Sequence, residues 1–157
     1  LSTTTPAKLN PILEIRGSNG SILYTKEPEV QQNVIKPGIV SLMWKILSDP
    51  SNRIGAWATK FNVRGLTYAL KTGTSNVRTE KASFPRYGWL AAYTPSKVLM
   101  MWAGNADARP MNAKAYGGSI HANSVKAFLA DLMAQGLLTN EEMPMKDTST
   151  VNISKLS

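Results

Sequence analysis

Cysteine is absent from this 157-residue chain. That excludes disulfides, thiolate nucleophiles and cysteine-ligated metals, and it leaves the redox character of the compartment open. Histidine occurs once, as His121. A lone histidine opening a helix is expected as a surface or capping residue, and no metal-ligand cluster is expected around it. Acidic residues are few: 10 Asp and Glu stand against 18 Lys and Arg, for a formal net charge of +8. Such a surface attracts nucleic acid, anionic lipid or acidic polymers at long range. The basic residues are scattered, however, with no continuous block and no stripe interleaved with aromatics, so a nucleic-acid partner is not expected. There is no apolar run of about 18 to 20 residues, no basic and apolar leader, and no glycine-rich phosphate loop. A membrane span, a signal peptide and a nucleotide site are therefore not expected within these residues.

What is present is globular in composition, with 43% hydrophobic and 18% charged residues. The chain opens on Leu1, and it closes on Thr150 to Ser157 in an alternating pattern with no turn or cap. Both ends are expected to be cuts from a longer polypeptide. Residues 1–8 are small and polar and read as a linker, residues 9–136 as the folded part, and residues 137–157 as a tail or linker to a further segment.

Two short β-prone runs, Ile12 to Arg16 and Ser21 to Thr25, flank Gly17-Ser18-Asn19-Gly20. This predicts a β-hairpin over residues 11–26, with Asn19 and Gly20 both available for positive φ. Pro37 suits a first helical turn, and Ile39, Leu42, Met43, Ile46 and Leu47 follow helical spacing up to Asp49-Pro50. Residues 48–63 read as a loop with one short turn. Three extended runs follow, Leu66 to Ser75, Tyr87 to Thr94 and Lys97 to Gly104. The last is apolar on both faces, as expected of a strand covered on both sides. After Gly117-Gly118, the residues Val125, Phe128, Leu129, Leu132 and Met133 repeat the helical spacing up to a stop at Gly136. The expected fold is α+β: an antiparallel sheet arrangement of hairpin plus three-strand meander, with flanking helices.

Chemistry concentrates at Lys71-Thr72-Gly73-Thr74-Ser75 on the first strand of the meander. The triplet alone arises by chance in roughly a few per cent of chains of this length. Its surroundings add weight. Gly88-Trp89-Leu90-Ala91-Ala92-Tyr93-Thr94-Pro95 and Met101-Trp102-Ala103-Gly104-Asn105-Ala106-Asp107-Ala108-Arg109-Pro110-Met111 follow in order, and together these segments closely resemble the last part of class A penicillin-binding proteins. Ile46-Leu47-Ser48-Asp49-Pro50 with the Gly-Asn and Arg-Pro-Met elements resembles the type-1C subgroup most. The resemblance spans residues 10–133.

It implies a partial serine-transpeptidase/β-lactamase-like fold in which Lys-Thr-Gly lies on the edge strand beside the helix that bears the nucleophile. It further implies peptidoglycan stem peptides and β-lactams as partners, an extracytoplasmic or periplasmic site of action, a parent protein anchored outside this segment, and no cofactor or metal. Lys71 and Thr74 are the implied catalytic residues, with Thr72, Gly73, Thr74 and Ser75 contacting substrate. The residue types suit those roles. A lysine supplies charge and donors, a glycine permits close approach, and threonine hydroxyls bind carboxylate.

No serine in the sequence is followed three places later by lysine, or two places later by asparagine. The nucleophile motif and the second motif of that family are missing from these residues. The segment is therefore expected to be inactive alone and active as part of its parent. The alternative is a degenerate homologue that binds peptidoglycan or protein without catalysis. Among other residues, Trp44, Trp57, Trp89 and Trp102 read as packing anchors, with Trp57 placed to border a groove, and Asp107 with Arg109 as a structural ion pair.

Overall fold

The computed structural model describes residues 11–27, 35–78, 80, 82–149 and 151. The expected linker 1–8 lies outside them. The fold is α+β, with a two-stranded and a three-stranded antiparallel sheet and flanking helices. Strands β1 (Glu14–Arg16) and β2 (Ile22–Thr25) form the hairpin. Its turn differs from the expected one in a single respect. Only Gly20 takes positive φ, at 80°, while Asn19 works through its side chain. Asn19 Oδ1 accepts from Ser21 N at 3.0 Å and from Ser21 Oγ at 2.6 Å, and Gly17 N donates to Ser21 O at 2.8 Å.

Helix α1 (Pro37–Ser48) starts on Pro37, whose missing N–H costs nothing in a first turn. The Asp49 carboxylate then caps a 3₁₀ turn over Pro50–Asn52, Oδ1 accepting from Ser51 N at 2.8 Å. Hydrogen bonding from the Ser51 side chain, and then from its backbone N–H, holds the Asp49 carboxyl below its usual range. A short helix α2 (Trp57–Lys60) follows. The meander consists of β3 (Ala69–Arg78), β4 (Ser83–Tyr93) and β5 (Val98–Gly104) in the order β3-β4-β5. β3 and β4 run several residues beyond the expected strands, because Asn76 to Arg78 pair with Ser83 to Pro85 after a bulge at Ser75/Asn76. Each three-residue arm holds a single apolar side chain, Val77 or Phe84, and the second ends on a proline, too little for a strand signal. Helix α3 (Gly117–Ala134) closes on Gly136 at φ 71°, where Leu137 N donates to Leu132 O at 2.9 Å in a Schellman-type end.

Strand alternation sorts the sheet into two faces. Leu70, Leu90 and Ala92 point to α3 and meet Ala122, Val125 and Leu129, with Phe61, Tyr68 and Leu138 completing the core. Val98, Met100 and Trp102 of β5 are exposed on the other face, so the expectation of β5 covered on both sides is met on one side only. Helix α1 reaches just the end of that outer face, where Trp44 tilts against Tyr93 with ring centroids 5.7 Å apart. The buried residues of α1 are Ser41 and Trp44, while Ile39, Leu42, Met43 and Ile46 stand half-exposed. Past α3, Leu138 is buried, Asn140 Oδ1 accepts from Thr67 N at 2.7 Å, and Lys146 N donates to Ser41 Oγ at 2.9 Å. Residues 138–146 of the stretch expected as tail or linker thus lie along the body.

Candidate functional site

The residues Lys71 to Ser75 occupy the middle of β3, whose only strand partner among the described residues is β4. β3 is therefore an edge strand there, with alternate backbone groups turned away from the sheet. The register identifies which groups these are. Lys71 Nζ donates to Thr72 O at 2.6 Å, so the Thr72 carbonyl faces the open edge. Antiparallel alternation then turns the N–H and C=O of Thr74 to that edge as well, and leaves Gly73 hydrogen-bonded in the ladder opposite Trp89.

Side chains divide by parity. Leu70, Thr72 and Thr74 point toward α3, and Lys71 and Ser75 point to the other face. Lys71 nevertheless curls round the edge, through its bond to the Thr72 carbonyl. Lys71, Thr72 and Thr74 consequently line one groove of about 600 Å³ with Arg53, Trp57 and Tyr116. Ser75 is exposed and is not among the lining residues. Gly73 is also not among them and sits beneath the entry of α3.

Trp57 does border the groove. It opens α2, stacks on Phe61 at 5.5 Å and 19°, and carries the Lys60 ammonium 4.8 Å from its ring centroid. Arg53 approaches the wall from the 3₁₀ turn, its guanidinium carbon 6.0 Å from the ring centroid of Tyr68. Burial pushes the Tyr68 phenol up to about 12, and its hydroxyl donates to the Phe61 carbonyl. Asp107 and Arg109 pair as expected, at 2.5 Å and exposed. Arg53, Tyr116 and Gly118 at the groove were not singled out by the sequence. Each comes from a loop or helix start, where only the tertiary fold decides what is nearby.

His121 differs from its expected role. It is buried, with Nε2 3.0 Å from Gly88 O. A carbonyl oxygen only accepts, so Nε2 carries the proton of this bond. Among the described residues no group of three or more His, Asp or Glu stands close enough to hold a metal ion.

An edge strand offering backbone donors, two hydroxyls and an ammonium to one groove is suited to hold an extended acyl substrate with a carboxylate end. The sequence matches the family model described as the penicillin binding protein transpeptidase domain over residues 5–130. The chain belongs to that family. Two solved structures agree with it in fold. The penicillin-binding protein PonA1 from Mycobacterium tuberculosis is similar with a TM-score of 0.54 at 19% identity, over 90% of this chain and 39% of that one. PonA1 of the same organism in complex with penicillin V is similar with a TM-score of 0.52 at 21% identity, over 83% of this chain and 34% of that one. The chain thus spans well under half of these penicillin-binding protein chains. A comparison with curated proteins found no match.

Proposed function

We propose that this chain supplies the substrate strand of a serine-type DD-transpeptidase, as the C-terminal part of the transpeptidase domain of a class A penicillin-binding protein resembling the type-1C subgroup. One observation carries the reading: Lys71, Thr72 and Thr74 share a groove on an open strand edge. In the whole protein, a serine oxygen supplied from outside these residues attacks the carbonyl carbon of the penultimate D-alanine of a stem peptide. The bond to the terminal D-alanine breaks, and that residue leaves as an amine with a proton. An amine of a neighbouring stem then attacks the ester carbon, and the serine oxygen regains its proton. In a β-lactam the leaving nitrogen stays tethered to the acyl group, so the acyl-enzyme persists. The penicillin V complex of PonA1 supports β-lactams as ligands.

In this scheme the Thr74 N–H on the open edge faces the developing oxyanion. The Thr72 and Thr74 hydroxyls hold the carboxylate shared by stem peptide and β-lactam. The Lys71 ammonium stabilises the serine network, and Gly73 and Ser75 continue the strand against which substrate lies. The reaction belongs to the extracytoplasmic or periplasmic face of the membrane, with any anchor outside these residues. No helix among the described residues is long and apolar enough to cross a membrane.

The absence of Ser-any-any-Lys and Ser-any-Asn within 157 residues favours a second reading, a non-catalytic peptidoglycan- or protein-binding module. The parent sequence upstream of Leu1 decides between the two by containing those motifs or their replacements.

The test of the site is Thr74→Val in the full-length protein, which removes the hydroxyl and keeps both the backbone N–H and the β-branched shape. Losing one hydrogen bond to a carboxylate costs about 1.5 to 3 kcal/mol, roughly ten- to a hundredfold in the second-order acylation rate by a carboxylate-bearing penicillin. Lys71→Ala is expected to cost more, since it removes a charge beside the reacting centre. An unchanged rate for Thr74→Val on folded protein removes that residue from the site.

A further inference from the structure

Helix α3 meets the substrate strand at its first residue, and very closely. Gly117 N donates to Thr74 Oγ1 at 3.0 Å. Its Cα lies over the Gly73–Trp89 pair, so that a Cβ on Gly117 would stand 2.3 Å from Gly73 O and 2.5 Å from Trp89 O. Both are backbone atoms of the sheet and neither can swing aside. A Cβ on Gly88, the cross-strand partner of Thr74, would likewise fall 3.1 Å from Gly117 Cα. One turn along α3, His121 Nε2 holds Gly88 O at 3.0 Å. The helix end is thus fixed to β4 by His121 and pressed against the sheet through glycines, with its leading N–H on the Thr74 hydroxyl.

We propose that Gly117 and His121 are positioning residues that set the polarity of the Thr74 hydroxyl. A threonine oxygen has one proton to donate and two lone pairs. With one lone pair taken by Gly117 N–H, the proton of Thr74 turns away from α3 into the groove, where an incoming carboxylate accepts it. Donation from Gly117 also polarises the Thr74 O–H bond and strengthens it as a donor. The 18-residue helix adds the partial positive charge of its N-terminus on the same side. The proposal rests on Thr74 being the carboxylate ligand.

The experiment compares acylation of the full-length protein by benzylpenicillin and by its methyl ester, which lacks the carboxylate charge. Gly117→Ala should lower the benzylpenicillin rate by about threefold to tenfold, the effect of one weakened hydrogen bond, and change the ester rate much less. In a Thr74→Val background Gly117→Ala should add no further loss, because the two act through one group. His121→Gln, which keeps an N–H donor, should retain the rate, and His121→Leu should lose it with the same selectivity for the carboxylate. This pair carries the test on its own should Gly117→Ala not fold. Equal losses for acid and ester, or a Gly117 or His121 effect that persists in the Thr74→Val background, would overturn the positioning role while leaving Thr74 as a ligand. A Thr74→Val variant with an unchanged rate would overturn the carboxylate assignment itself, and this proposal with it.

Discussion

The two faces of the three-stranded sheet arise from the same strands by alternation, yet among the described residues only one of them is closed. Toward α3 the side chains are Leu70, Leu90 and Ala92, with Leu90 fully buried. On the opposite face Trp89, Met100, Trp102 and Val98 stand 43 to 64% exposed, the tryptophans in ring contact with each other and with Tyr87. The closed face is where small residues let backbones meet, Gly88 against Gly117, and Thr72 and Thr74 belong to that same face. The candidate site is therefore braced from the α3 side. The open face presents apolar surface of the kind that a further protein layer or self-association covers.

The sharpest way to break this contrast is a cavity on the closed face. Leu90→Ala should destabilise by about 2 to 5 kcal/mol, whereas truncation of Met100 on the open face should be several times milder. Urea unfolding followed by tryptophan fluorescence measures both, and equal effects would mean that the two faces are packed alike.

A smaller effect on the closed side comes from Tyr68. Burial raises the folded-state value of its phenol from 10.0 to about 12. Below pH 10 neither state ionises and the stabilisation is complete. Between about 10 and 12 the unfolded chain releases the proton first, so stability falls across that window as pH rises. Tyr68→Phe should remove this part of the alkaline loss and cost about 0.5 to 1.5 kcal/mol at neutral pH, through the lost bond to the Phe61 carbonyl. Denaturation midpoints at about pH 8, 10 and 11.5 for both proteins check it.

The smallest change in stability is expected for Val98→Thr with Met100→Thr, within about 0.5 kcal/mol per site. Its readout is association instead. Light scattering of concentrated protein should show less self-association for the double variant, and an unaltered profile would show that the exposed face is not what drives it.

Helices α1 and α3, the hairpin and the meander were legible because each has a local signature: Pro37 and Gly136 as boundaries, helical spacing between, and β-prone runs around Gly17 to Gly20. What the pattern did not contain was direction. The stripe of Ile39, Leu42, Met43 and Ile46 marks a helix, but Ser41 and Trp44 are what this fold buries, because burial depends on the surface opposite. The extension of β3 and β4 through Pro85 was invisible, since a proline demotes a strand and yet Pro85 is fully buried. His121 reads as a surface residue until Gly88 is brought beneath it from 33 positions away in sequence. Of the site, the Lys71 to Thr74 string was legible as a motif. Its wall of Arg53, Trp57 and Tyr116 was legible only at Trp57, because the wall is assembled from a turn, a short helix and a helix entry.

The proposed function puts the substrate strand of a transpeptidase in this chain and its nucleophile outside it. Incubation of the isolated chain with a fluorescent penicillin, followed by denaturation, tests that most directly. The expected result is no covalent label, because no serine here stands in a Ser-any-any-Lys setting. A stoichiometric label on any residue of this chain would contradict it.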